Sequence, residues 1–413
     1  MAEMKDSGIE WCGKIPISWN VMPNKYVMYK KKEICPKYNG EDILSLTMDG
    51  VIVRDLDAGG KMPASFDGYQ RVHPHNLLMC LFDYDVTPRC IGLIQNEGLT
   101  SPAYSQFVMK NGNDARYYYY YYLMIDNTKE LLHLAKNLRH SFTEDQLGII
   151  NTPVPPVEIQ KQIAKYLDQK CEDIDAVYVE IEKQIETLEE YKKSIITEAV
   201  TKGLDPDVEM KDSGIEWIGK IPKDWEIRKG KYTLRYLQKE VKEDDGVITC
   251  FRDGEVTLRS NRREDGFTMS DKEIGYQGID IGDLVVHGMD GFAGAIGISD
   301  SRGKASPVLN VLDTDENKKY YMYYLRSMAY SNVFLATATG IRVRSCDLRW
   351  VKIAELPFSM PSRKEQDEIV SYIDRICNGA NEIIADKKKQ LETLEQYKKS
   401  VIYEYVTGKK EVQ

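Results

Sequence analysis

Arginine is the residue type in this chain whose placement suits a chemical task. One set comprises Arg54, Lys61, Arg71, Arg89 and Arg139; another comprises Arg252, Arg259, Arg262 and Arg263, then Arg342 and Arg344 after Thr337-Ala-Thr339-Gly340. On loops beside Ser, Thr and Asn, the guanidinium fork fits a phosphate or the O6/N7 edge of guanine. Tyr104, in Ser101-Pro102-Ala103-Tyr104, adds an aromatic edge to the first set. Catalytic chemistry finds little support. No G-x-x-x-x-G-K-[ST] loop occurs, so nucleotide hydrolysis is not expected. Gly288, Gly291, Gly294 and Gly297 lack the G-x-G-x-x-G spacing and read as turns or a bulge. His73-Pro-His75 resembles a metal pair on a turn, but no acidic or cysteine partner stands nearby in sequence, and a surface role is expected. Glu240-Val-Lys242 and Glu209-Met-Lys211 match E-x-K by accident of charged stretches. No catalytic residue and no metal ligand are assigned.

The charge distribution places any polyanion on particular segments. Over the whole chain 56 basic against 65 acidic side chains give −9, which argues against coating nucleic acid by bulk charge. Residues 20–152 hold 14 basic and 15 acidic groups, and residues 226–355 hold 20 of each, so most of the excess acid lies elsewhere. At 42% hydrophobic and 29% charged the composition is globular, and 413 residues suffice for two to four domains. The eight cysteines include no C-x-x-C pair, which disfavours a disulfide framework or a zinc knuckle. No apolar run approaches the ~18 residues of a membrane helix, and Met1–Gly8 lacks the apolar stretch of a signal peptide. A reducing cytoplasm is the expected setting.

What positions these residues is a tandem duplication. Glu3–Trp19 and Glu209–Trp225 agree at 14 of 17 positions, and Lys183–Thr201 and Lys389–Thr407 at 14 of 19, both at an offset of 206. Each copy has a short Trp motif, a divergent globular stretch and a charged, proline-poor stretch. Short β-branched runs such as Val51-Ile52-Val53 and Leu284-Val285-Val286, beside the Tyr-rich helices Tyr117–Tyr122 and Tyr320–Tyr324, read as mixed α/β. Half of the first tyrosine run is expected in the core and half outward. Tyr69 and Tyr276, and Ser101-Pro102 and Ser306-Pro307, align the two stretches, so both should share one fold with different surfaces.

Leu167, Ile174, Ile181, Leu188 and Ile195 fall seven apart, with Cys171, Tyr178 and Ile185 interleaved; this is the narrow seam of a coiled coil. In the second copy Ala380, Leu394 and Val401 share one row and Cys377, Ile384 and Leu391 the other, with Lys387 interrupting. At 1.5 Å per residue each helix would span roughly 65 Å. The expected domains are residues 1–152, a helix over 153–203, residues 204–355 and a helix over 356–413.

The motif SGIEWxGxIPxxW, the Ser-Pro-Ala-Tyr element, the proline-rich lead into Glu365-Gln366 and the duplicated LETLEEYKKS-type helix together resemble the DNA specificity subunit of type I restriction–modification systems. The resemblance implies two target-recognition domains, each entering the major groove at one half of a split, asymmetric DNA site. It implies long helices that run antiparallel as a ruler between them, related by a pseudo-two-fold repeat. Two modification (methyltransferase) subunits would bind the repeated elements, with Trp11, Trp19, Gln160, Tyr191, Trp217, Trp225, Gln366 and Tyr397 as the candidate contacts. Restriction (translocase) subunits would join through them. S-adenosylmethionine, ATP and magnesium would belong to those partners and not to this chain. Two positions depart from the pattern: Ile159 stands where the second copy has Glu365, and Val308-Leu309 where the first has Ala103-Tyr104. A coiled-coil scaffold that never touches DNA is the rival expectation; it leaves the divergence of two like-folded stretches unexplained.

Overall fold

The computed structural model describes residues 3–58, 63–135, 140–262, 274–336 and 348–412. The chain forms two compact units: unit 1 is residues 1–181 with 388–413, and unit 2 is residues 182–387. Each contains a globular stretch and half of each long helix.

Unit 1 holds a four-stranded antiparallel sheet of β1 (Met28–Lys31), β2 (Leu77–Met79), β3 (Ile91–Leu93) and β4 (Ser105–Met109), in the order β1-β4-β2-β3. Unit 2 holds β5 (Arg235–Leu237), β6 (Leu284–His287), β7 (Ile296–Ile298) and β8 (Leu309–Asp313), in the order β5-β8-β6-β7. The two orders are the same, as the aligned skeletons of the sequence predict. Helices α1 (Ala115–Thr128) and α3 (Lys318–Tyr330) pack on β3 and β7 respectively. Both start at a side chain that accepts two backbone N–H groups: Asp114 for α1 and Asn317 for α3.

The tyrosine runs are core. Tyr117, Tyr118, Tyr120, Tyr121 and Tyr122 are buried, and only Tyr119 is partly exposed, so the expected outward half of the run is absent. Their hydroxyls explain why tyrosine rather than phenylalanine is used. Tyr117 donates to Val406 O at 2.8 Å and Tyr320 to Val200 O at 3.2 Å. Those carbonyls lie in the last turns of long helices, where no intrahelical partner exists.

The long helices are α2 (Val157–Lys202) and α4 (Arg363–Val406). In unit 1, the Tyr166 and Tyr405 rings meet at a 35° tilt with centroids 4.3 Å apart and Lys398 pairs with Asp175 at 2.6 Å, so the start of α2 lies along the end of α4. In unit 2, Lys387 donates to Gln184 Oε1, and Gly203 stands beside Glu365. The helix segments are therefore antiparallel in each unit. Leu167, Cys171, Ile174 and Ile181 are buried along the seam, whereas Ile185, Leu188, Leu391 and Leu394 are only partly covered. Lys387, the break in the apolar row, is satisfied by an amide rather than by packing.

Each Trp motif packs against the end of the long helix from the other copy. Gly408, at φ 67°, follows α4 as a left-handed cap; a Cβ there would meet Pro16 at 2.5 Å and Trp19 at 2.8 Å. Gly203, at φ 76°, stands in the same way against Trp225 and Pro222 after α2.

An ionic network ties the edge of unit 2. Lys239 bridges Asp280 and Asp283 at 2.8 and 2.6 Å, and Arg302 bridges Asp280 and Asp245 at 2.5 and 2.8 Å. The hydrogen bonds from Lys239, then Arg302, hold the Asp280 carboxyl down at about 2. A depressed carboxylate contributes stability that is present above the unfolded-state value near 3.9 and is lost as pH falls through the folded one. Unit 2 is thus expected to lose thermal stability progressively from pH about 4 to about 2, and Lys239→Met should flatten that slope. Melting curves across the window check this; an unaltered slope in the variant would refute it.

Candidate nucleic-acid interface

In unit 1 the basic candidates lie among acids. Arg71, on the strand Gln70–Val72, pairs with Glu41 at 2.9 Å, Glu97 at 3.4 Å and Glu33 at 3.7 Å. His73 Nε2 is 3.0 Å from Glu33 Oε2, so the histidine has the acidic neighbours that its local sequence lacks. Hydrogen bonds from His73 and then Lys31 lower the Glu33 pKa. Arg54 is half-buried and its backbone N–H donates to Ile43 O at 2.7 Å. Arg89 turns inward to Tyr119, with Nη1 3.4 Å from the hydroxyl. Tyr104 also points in: its ring stacks on Phe82 at 6.0 Å, burial raises its phenol pKa, and its carbonyl accepts from Gln70 Nε2 at 2.7 Å. Lys61 and Arg139 lie outside the described residues.

In unit 2 three candidates gather on one hairpin, Ile248–Cys250 with Val256–Leu258. Arg262 lies over the Phe251 ring at 4.1 Å and reaches Asp253 at 2.7 Å and Glu255 at 2.9 Å. Arg252 pairs with Asp290 at 2.9 Å, and Arg259 Nε is 3.3 Å from Thr249 Oγ1. The aromatic face and two carboxylates fix the plane of Arg262. Arg263, Arg342 and Arg344 lie outside the described residues. Among the described residues no group of three or more His, Cys, Asp or Glu is arranged to hold a metal ion. No helix among them is long and apolar enough to cross a membrane.

Sequence reasoning missed a pair of buried glutamines. Gln70 Nε2 donates to Ser101 O and Tyr104 O, at 2.9 and 2.7 Å, and Gln277 Nε2 to Leu309 O at 2.8 Å. They anchor the two Ser-Pro loops. The signal was present: both follow an aligned tyrosine, in Tyr69-Gln70 and Tyr276-Gln277.

Several candidate partner contacts are internal. Trp19 and Trp225 are buried; Trp19 meets Tyr117 edge-on at 6.4 Å, and Trp225 Nε1 donates to Glu365 Oε1 at 3.0 Å. Trp11 donates to Tyr121 Oη at 3.0 Å, and Trp217 packs edge-on to Tyr324 at 6.3 Å. Gln160 is fully buried: its Oε1 accepts from Asp114 N, and its Nε2 donates to Asn113 Oδ1 and Pro155 O, each at 2.8 Å. Gln366 is equally buried and serves Asn317 N, Glu316 and Pro361 O, at 3.1, 3.0 and 3.1 Å. Each glutamine thus fastens the start of a Tyr-rich helix to a long helix, and neither side chain is presented to a partner. Tyr191 and Tyr397 remain exposed.

Gln160→Leu should cost unit 1 about 2–4 kcal/mol, because it strands a buried N–H and a buried carbonyl. Gln366→Leu should do the same to unit 2. Denaturant unfolding measures both, and an unchanged midpoint in either variant would refute the assignment.

Residues 93–189 match the family model of the type I restriction modification DNA specificity domain. Two relatives come from Methanocaldococcus jannaschii. The chain is 27% identical over 276 residues to the type I restriction enzyme MjaVIII specificity subunit, covering 63% of this chain and 62% of that one. It is 41% identical over 87 residues to a chain provisionally assigned as the type I restriction enzyme MjaX specificity subunit, covering 21% of this chain and 19% of that one. The chain therefore spans under two thirds of the length of both. A solved chain, from a study of complex assembly and conformational transition of the type I R-M system, is similar in fold: TM-score 0.68 at 12% identity, over 95% of this chain and 99% of that one. The resemblance to type I DNA specificity subunits read from the sequence is borne out, with residues 93–189 matching their DNA specificity domain.

Proposed function

We propose that this chain is the DNA-reading subunit of a type I restriction–modification complex. Unit 1 reads one half of a bipartite duplex target and unit 2 the other. The observation that carries this reading is one strand order built twice with unlike side chains on it. Like folds suit like tasks; unlike surfaces suit unlike half-sites. In unit 2 the hairpin bearing Arg252, Arg259 and Arg262 is the reading head, and Arg262 takes a guanine or a phosphate in exchange for Asp253 and Glu255. In unit 1 the corresponding task falls to Arg54 and Arg71, with Lys61 and Arg139 as further contacts; Arg263, Arg342 and Arg344 are the further contacts of the second copy. Arg89, turned towards Tyr119, supports its loop.

Paired helix segments set the distance between half-sites. Two modification subunits bind the duplicated elements, and restriction subunits join through them. The chain itself performs no chemistry: adenine methylation with S-adenosylmethionine falls to the modification subunits, and magnesium-dependent ATP hydrolysis to the restriction subunits. The assembly works in the cytoplasm, on double-stranded DNA.

The test is selection from a randomised duplex library by the chain with its modification subunit, read by gel shift and sequencing. An asymmetric pair of short motifs at a constant spacing is expected. A palindromic site, or no enrichment, would overturn the proposal.

A further inference from the structure

Both copies of the duplication enter their globular part through the same dipeptide, Lys25-Tyr26 and Lys231-Tyr232, at the repeat offset of 206. Their backbones are held alike. Asn24 N donates to Ile150 O and Gly230 N to Leu356 O, each at 2.9 Å. Each lysine leans towards its neighbouring ring, at 5.3 Å for Tyr26 and 5.4 Å for Tyr232. Both rings stand in solvent: Tyr26 is 55% exposed and Tyr232 75%.

A second exposed apolar group accompanies each ring. The turn bearing Tyr26 packs on the short helix Glu144–Ile149, whose Ile149 is 67% exposed. The turn bearing Tyr232 is tied to the short helix Trp350–Ile353 by Lys231 N donating to Ala354 O at 2.8 Å, and Val351 there is 75% exposed. Packing within the chain thus explains neither ring. Leaving a tyrosine ring in water at the same repeat position twice forgoes burial that most sequences would take. The globular stretches diverge widely in sequence, yet this feature stands in both.

We propose that Tyr26 and Tyr232 are two equivalent docking knobs for two copies of one protein. This rests on the function proposed above, in which that protein is the modification subunit. An exposed tyrosine present twice at one offset fits one partner bound twice. The chemistry favours protein over DNA. In unit 2 Glu355 neutralises both lysines of the patch, Lys229 and Lys231, each at 2.8 Å, which leaves ring and aliphatic carbon as the presented surface. Tyrosine is also a residue type on which interface affinity concentrates.

The full-length chain, co-produced with its modification subunit, is compared as wild type, Tyr26→Ala, Tyr232→Ala and the double variant. Native mass spectrometry gives the stoichiometry and sedimentation gives the affinity. Wild type should carry two copies, each single variant one tightly held copy with the other site weakened about 30-fold, and the double variant none. Melting curves should match wild type, since both rings are exposed. A double variant that keeps two copies at wild-type affinity overturns the inference while leaving the proposed function standing. Intact partner binding with lost DNA binding would reassign the surface to DNA and overturn it too. A wild-type chain that binds no modification subunit would sink both readings.

Discussion

Ending the chain at Lys387 should unfold unit 1 and leave unit 2 folded. Residues 388–413 belong to unit 1 although they lie far in sequence from its globular stretch, whereas unit 2 is one continuous segment. The removed piece carries Val401, Ile402 and Val406, all buried in the core that holds Trp19, Tyr117 and Leu167. Fully burying an aliphatic side chain is worth about 1.5–3 kcal/mol, so three of them contribute roughly 4.5–9 kcal/mol. That matches the whole stability of a typical domain, about 5–15 kcal/mol. The loss does not stop there. Val406 O takes the Tyr117 hydroxyl and Lys409 Nζ donates to Cys12 O at 2.6 Å, so the Trp motif and the Tyr-rich helix would each lose a fixed partner. Calorimetry should show one transition where the full chain shows two, and proteolysis should leave a fragment near residues 182–387. Adding a peptide of residues 388–413 should restore part of the lost transition. Two unchanged transitions in the truncated chain would show that the strap is dispensable.

That division of the chain illustrates what the sequence made legible. The duplication, the long helices and the lack of catalytic motifs were readable because each is a pattern in local residue order. The assignment of each helix half to a unit was not, because it depends on which surfaces meet after the chain has turned back. The glutamines show the same limit from the other side. Gln160 and Gln366 stand at equivalent positions in both copies, and the resemblance made them candidate partner contacts. Their burial and complete hydrogen bonding make them internal fastenings instead. The apparent departure at Ile159 is also settled by packing: its counterpart Glu365 receives the Trp225 indole N–H, a contact inside unit 2. Among the arginines, residue type and loop position were legible, but the carboxylates around Arg71 and Arg262 arrive from elsewhere in the chain. Glu33, Glu41 and Glu97 converge on Arg71 from three separate segments, which no local pattern announces.

Lengthening both long helices by seven residues should move the two half-sites apart without changing either. Sequence alone would suggest an insertion into 178–190 only, where the apolar row is uninterrupted. The structure argues for a matched pair. In unit 1 Asp175 meets Lys398, and in unit 2 Gln184 meets Lys387. An insertion in α2 alone would put it out of step with α4 on one side or the other. Placing seven residues after Ile181 and seven after Lys387 keeps every pair inside its own unit. A heptad also preserves the phase of the seam, which four residues would shift. Seven residues add about 10.5 Å at 1.5 Å each, close to three base pairs at about 3.4 Å per step. If paired helices set the distance, the selected target should keep both motifs and gain about three unread base pairs. Binding to the original target should fall at least 100-fold, because only one half can then be engaged, and each mismatched pair costs about 1–3 kcal/mol. Library selection with the lengthened chain measures the spacing. The same motifs at the original spacing would refute the ruler, whereas altered motifs would mean that the insertion had disturbed the reading units themselves.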